Sequence, residues 1–136
     1  MKKSIGITLG VWEFDDISHQ FITDGLGIEP TLVHVKGERI IPRFERLAEW
    51  NSWLYRTPGY EVEDFDKQMS DILELVVKNS DFIMQHLNRY NLELSCCLTV
   101  NASSPESNPW VHISKEQSRI LADHNLNFDV DMYVLP

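Results

Sequence analysis

Basic and aromatic side chains alternate along one stretch of this sequence, between residues 36 and 55. Lys36, Arg39 and Arg43 precede Trp50 and Trp53, and such a mixture of cations and large rings is common at recognition surfaces. Arginine also presents planar, paired donors that suit a carboxylate or a phosphate. We therefore predict that these five residues form a binding site, and we keep a small anionic ligand held by Lys36, Arg39 and Arg43 as an alternative to a protein partner. A core role for the tryptophans, with arginine stems covering them, fits the same pattern.

An acidic group near the C-terminal end offers a different chemistry. Asp129 and Asp131 stand at i and i+2 in an alternating segment, with His124 shortly before them. Two carboxylates on one face of a strand could hold a divalent cation, as in a small metal-dependent hydrolase. Solvent-facing positions of an antiparallel strand give the same pattern. We keep the hydrolase as an alternative and predict no metal site and no catalytic residue.

Motifs for cofactor chemistry are absent from the sequence. It contains no glycine-rich phosphate loop, no G-x-G-x-x-G and no G-x-S-x-G. No two of the five histidines are spaced as a helical pair of ligands, and the adjacent Cys96 and Cys97 point to opposite faces of a strand. We expect no cofactor, and the sequence favours a non-catalytic role while leaving an enzyme open.

The charge of the chain is distributed unevenly. The 136 residues carry a net charge of −9, yet residues 36–56 hold five Lys or Arg against three Glu. An acidic chain is a poor candidate for nucleic acid but suits a basic protein partner, or solubility alone. No apolar run approaches the roughly 20 residues that span a bilayer, and no signal-peptide cleavage site follows the first residues. We expect one cytoplasmic domain over residues 1–136, of unknown oligomeric state.

Hydrophobic periodicity predicts the elements that position these side chains. Alternating patterns predict strands at 4–12, 32–35, 50–55, 92–101, 110–113 and 127–135. Helical spacing predicts a short helix capped by Asp15 or Asp16 and ending near Gly25, a helical section over 61–90 broken at 79–81, and a helix that begins at Ser114. We call residues 38–48 mostly loop. The expected fold is a two-layer α+β domain, in which helices cover largely one face of a mostly antiparallel sheet of about five strands.

Short motifs distributed along the chain carry a family resemblance. They are Ile22-Thr23, Leu26-Gly27-Ile28, Pro30-Thr31, Lys36-Gly37-Glu38, Trp50 and Asp131-Met132-Tyr133. Together with the long helical section, they resemble the bacterial domain of unknown function 4279 family. This chain departs from the pattern by a longer insert between Glu38 and Trp50. The resemblance implies a partner-binding role, of the immunity-like or regulatory kind, and supplies no catalytic residue.

Overall fold

The structure, a computed structural model, describes residues 4–136 and contains one open sheet covered by helices. Its elements are β1 (Ile5–Trp12), α1 (His19–Leu26), β2 (Leu32–His34), β3 (Ser52–Arg56), α2 (Phe65–Lys78), α3 (Ser80–Phe82) continued by a π-helical turn (Ile83–Leu87), β4 (Asn91–Asn101), a 3-10 turn (Pro105–Ser107), α4 (Lys115–Asp123) and β5 (Leu126–Leu135). Within this range, no helix is both long and apolar enough to cross a membrane.

The five strands run in the order β2-β3-β1-β4-β5. The pairs β2–β3, β3–β1 and β1–β4 are antiparallel, whereas β4 and β5 are parallel. The parallel pair follows from the connection, because α4 lies between these strands and carries the chain back to the end where β4 began. The predicted α+β fold with a mostly antiparallel sheet is confirmed.

One face of the sheet lies beneath the helices and forms the core. Alternation along β1 places Ile5, Ile7, Leu9 and Val11 on that face, and all four are buried. The buried stripe of α2 packs against them, and the buried positions of β4 extend the same layer. The opposite face, which we call the open face, carries the polar positions of the strands.

A buried glutamine joins α2 to the start of β1. Gln68 Oε1 accepts from the Ile7 backbone N–H at 2.8 Å, and Gln68 Nε2 donates to the Ile5 carbonyl at 3.0 Å. Gln68 Oε1 also accepts from the Thr57 hydroxyl at 3.0 Å. Because β3 pairs with β1 only from Thr8 onward, Gln68 satisfies the Ile7 N–H, which would otherwise bond to a neighbouring strand. It shares the Ile5 carbonyl with the Glu61 N–H, which donates to the same oxygen at 3.1 Å.

Two sequence-based predictions of local structure are wrong in detail. The first helix is capped by Ser18, whose hydroxyl accepts from the Phe21 N–H at 3.0 Å, and not by Asp15 or Asp16. Its last residue is Leu26, close to the predicted end near Gly25. The capping residue, Gly27, adopts a left-handed conformation with φ of 70° that glycine takes without steric cost.

The predicted strand at 110–113 is also wrong, because this segment is irregular. Both sides of β4 are already occupied by β1 and β5, so the segment cannot pair with that strand. The other predicted strands form, and the capping box at Ser114 and Gln117 is present.

Candidate recognition surface

The segment between β2 and β3 folds back on itself as a projecting arm, which we define as residues 36–50. The Gly37 N–H donates to the Ala48 carbonyl at 2.9 Å, and the Ile40 N–H donates to the Arg46 carbonyl at 3.1 Å. Gly37 has φ of 86°, a conformation that side-chain-bearing residues rarely adopt. The arm is therefore ordered by bonds between its own two legs and by a glycine turn, as the loop prediction for 38–48 broadly anticipated.

Large apolar side chains of the arm face solvent. Ile41, Phe44, Leu47 and Trp50 each expose between 45% and 53% of their surface. Single exposed apolar residues are normal, but several on one short segment are typical of a contact surface.

The arm's cations lie among these apolar groups and are exposed. Arg39 Nη1 donates to the Pro42 carbonyl at 3.0 Å, which holds that guanidinium against the turn. Arg43 places its guanidinium carbon 5.2 Å from the Phe44 ring centroid, within the range of a cation–π contact. Lys36 is exposed at the base of the arm. The structure thus brings the three predicted cations onto one segment.

The two predicted tryptophans have different environments, and the prediction of a binding role for Trp53 is corrected. Trp53 is fully buried, and its Nε1–H donates to the Thr23 hydroxyl at 3.0 Å. Its position in β3 places it on the helix-covered face beside Val11. Trp50 precedes the strand and is 48% exposed. Only Trp50 of the pair is open to a partner.

A small cavity of about 240 Å³ lies at the base of the arm. It is lined by Trp12, His34, Ile40, Arg46, Leu47, Ala48, Glu49 and Trp50. The volume falls below the roughly 300–1,000 Å³ of sites that enclose small molecules. Of the cations, Arg46 lines it, while Lys36, Arg39 and Arg43 do not. Sequence reasoning did not single out Arg46 from its neighbours because charge alone distinguishes none of them.

The structure separates the three residues that the hydrolase alternative would use. Asp129 and Asp131 lie on the open face of β5, opposite Ser95 and Cys97 of β4. His124 is buried at the end of α4, where its Nε2 lies 2.8 Å from the Ser80 hydroxyl. Among residues 4–136, no group of three or more His, Cys, Asp or Glu is arranged to hold a metal ion.

Glu93, which the sequence did not distinguish, joins the two aspartates on the open face. Partial burial raises the pKa of the Glu93 carboxyl above its ordinary 4.5, although the Ser95 hydroxyl, which donates to it at 2.6 Å, lowers that pKa. A hydrogen bond with Asp129 and the charges of Asp129 and Asp131 raise the pKa further. Strand register brings these three together, and register is not visible in a single strand's pattern.

A larger cavity, of about 550 Å³, lies beside the start of α2. It is lined by Ser4, Ile5, Asp64, Phe65, Asp66, Ser107, Asn108, Pro109, Trp110 and His112. Trp110 stands at this site with 85% of its surface exposed. The sequence did not indicate that Trp110 is exposed, because its alternating pattern predicted a strand of the sheet at 110–113.

Comparison with known proteins identifies the family and nothing closer. No curated protein and no solved structure matches the chain. The model of the family described as Domain of unknown function (DUF4279) matches residues 3–135. Because that match covers nearly the whole chain, the chain belongs to the DUF4279 family.

Proposed function

We propose that this protein is a non-catalytic protein-binding domain, immunity-like or regulatory in role and cytoplasmic, and that the arm is its contact surface. The observation that supports this most is the exposure of Ile41, Phe44, Leu47 and Trp50 on a segment ordered by its own hydrogen bonds. The sheet and helices already bury a complete core without them. A surface of this composition gains by being covered.

The apolar and the charged residues of the arm contribute differently to binding. Phe44 and Trp50 supply apolar area, and aromatic residues carry a large share of binding energy at protein interfaces. Arg39 and Arg43 supply directional donors for carboxylates or carbonyl groups of the partner. Since cations at the edge of an interface act chiefly on orientation and association rate, we expect the apolar residues to dominate the affinity.

The charge of the remaining surface favours a basic partner. The arm carries four Lys or Arg against three Glu, so the other 121 residues carry a net charge of −10. Long-range attraction is set by this larger charge and draws in a partner of opposite sign. At contact, the arm's arginines meet local acidic or carbonyl groups on that partner.

Two other hypotheses have less support. A small anionic ligand held by Lys36, Arg39 and Arg43 requires those cations to converge, yet none of them lines the cavity at the base of the arm. A metal-dependent hydrolase requires His124 beside Asp129 and Asp131, and the histidine lies on the helix side of the sheet while the aspartates lie on the open face.

Affinity capture with matched variants tests the proposal. The tagged full chain is incubated with a lysate of the source organism alongside Phe44→Asp and a control, Val77→Asp, which alters an apolar residue of α2 that is 50% exposed. We expect one stoichiometric protein with the wild type and with Val77→Asp, and its loss with Phe44→Asp. Recovery of no partner, or equal recovery with all three proteins, would overturn the proposal.

A further inference from the structure

The two edges of the sheet differ in length and protection. At one edge β2 has three residues, and short strands are one way in which proteins prevent edge-to-edge pairing. At the other edge β5 has ten residues with no lysine, no proline and no interruption in its register with β4. Lysine, proline and bulges are among the usual means of protecting an edge, and so are charged side chains. The charges of β5, Asp129 and Asp131, both lie on the open face. Within residues 4–136, no strand pairs with the outer side of β5, so this long edge is available for pairing.

The free hydrogen-bonding groups of β5 belong to its even-numbered residues. The Leu135 carbonyl accepts from the Ala102 N–H at 3.0 Å, so Leu135 directs its peptide groups toward β4. Alternate residues of a strand direct these groups to the same side. The N–H and C=O groups of Val130, Met132 and Val134 therefore point away from the sheet.

The side chains of these same residues form an uncovered apolar strip. In register with β4, they lie on the helix-covered face, opposite Cys96, Leu98 and Val100. The helices stop short of them, and Val130, Met132 and Val134 are 45%, 57% and 63% exposed. On the open face, Tyr133 and Leu135 are exposed as well. Apolar side chains and free backbone groups thus coincide on one edge.

The charges of Asp129 and Asp131 restrict the register in which β5 could pair with β5 of a second copy. In an antiparallel pair related by a two-fold axis through the sheet, directly opposed residues share a face. An axis at Val130 would oppose Asp129 to Asp131 of the other copy, and an axis at Asp131 would oppose that residue to itself. Like charges directly opposed destabilise a sheet.

An axis at Met132 removes both conflicts. Met132 then faces its own copy, and Val130 faces Val134 on the apolar side. On the open face, Asp131 faces Tyr133, whose hydroxyl can donate to the carboxylate. Asp129 faces Leu135. Among the registers that oppose no two acids, this one pairs the most residues of β5.

We propose that the protein forms a symmetric homodimer by antiparallel pairing of β5 with β5 of a second copy, centred on Met132. The two five-stranded sheets join into one continuous sheet, with all helices on the same side. The residues used are distinct from the arm, so the dimer presents two arms and would bind a bivalent or repeated partner more tightly than one arm does. The contact is a single strand pair with one apolar strip, which is small for a stable interface, so we expect a weak dimer that forms as the protein concentration rises.

Light scattering and sedimentation equilibrium of the full chain, from micromolar to near-millimolar concentration, test the association. We expect a monomer–dimer equilibrium whose dissociation constant rises at least tenfold in Met132→Lys, since two ammonium groups would meet at the axis. The control is Met84→Lys, which changes an exposed methionine of the π-helical turn and should leave the constant unchanged. A wild type that is monomeric throughout overturns the proposal, as does a dimer that Met132→Lys does not weaken.

Disulfide trapping tests the register. In a Cys97→Ser background, Met132→Cys places two thiols at opposed positions about 5.5 Å apart between Cα atoms, within the range of about 4.4–6.8 Å that a disulfide spans. Val134→Cys places them about 13 Å apart or more, because each faces position 130 of the other copy. We expect a dimer trapped under mild oxidation with Met132→Cys alone. Trapping through Val134→Cys, or through neither, contradicts the register.

Discussion

The environments of Trp50 and Trp53 predict that the same substitution lowers stability much more at Trp53 than at Trp50. Trp53→Phe removes the Nε1–H that donates to the Thr23 hydroxyl at 3.0 Å and shortens a fully buried ring. A lost buried hydrogen bond costs about 1 kcal/mol, and the space left in the core costs roughly 1–2 kcal/mol at about 24 cal/mol per Å³. We expect the free energy of unfolding to fall by about 2–3 kcal/mol. Trp50→Phe, at an exposed position, should change it by about 0.5 kcal/mol or less.

Urea denaturation followed by far-ultraviolet circular dichroism measures both values without relying on the altered fluorophores. Binding to the captured partner should depend on Trp50 and not on Trp53. Truncation at Trp50 to alanine weakens binding by about 2 kcal/mol, or about thirtyfold, whereas Trp53→Phe leaves it unchanged at temperatures where the variant is folded. Equal destabilisation by the two phenylalanine variants would refute the assignment of Trp53 to the core and Trp50 to the surface.

Three further predictions concern the sheet. Gln68→Leu removes the acceptor of the Ile7 N–H and of the Thr57 hydroxyl and should lower the free energy of unfolding by about 3 kcal/mol, as measured by urea denaturation; a change under about 1 kcal/mol contradicts this role. Burial raises the pKa of the Cys96 thiol to about 11 and, together with the charge of Asp131, raises that of the half-buried Cys97, so a thiol reagent should modify the native protein slowly and at Cys97 first, and mass spectrometry that finds Cys96 modified first would disagree. The raised pKa of Glu93 means that its protonated form is favoured in the folded state, so its stabilising contribution is present below about pH 4.5 and is lost as the pH rises through the folded pKa; Glu93→Gln should be more stable than the wild type at pH 7, and thermal denaturation across pH 4–7 should show the difference shrinking toward acid.

The parts of the fold that local pattern specifies were predictable from the sequence. Alternation along β1 and β4 and helical spacing along α2 identify which side chains enter the core, because one buried face imposes a strict period on each element. The capping box at Ser114 was likewise readable, since its two partners lie three residues apart.

Features that depend on distant pairing were not predictable in the same way. The parallel pairing of β5 with β4 brings Glu93 to Asp129, and no local spacing encodes that register. The exposure of Trp110 was missed because a short alternating segment resembles a strand whether or not a sheet edge is free for it. Of the five predicted binding residues, the structure exposes four on the arm and places Trp53 inside, because β3 begins between the two tryptophans and its alternation turns Trp53 toward the helices.

Amide hydrogen exchange of the free chain and of its complex with the captured partner tests the central claim most directly. In the free chain, the N–H groups of Gly37, Ile40 and Ala48 are held only by bonds across an exposed arm, and such amides exchange readily through local opening. We predict that the partner slows exchange across residues 36–50 and leaves the outer residues of α2 unchanged. Slowed exchange elsewhere on the protein, with the arm unaffected, would contradict the proposal that this protein recognises its partner through the arm.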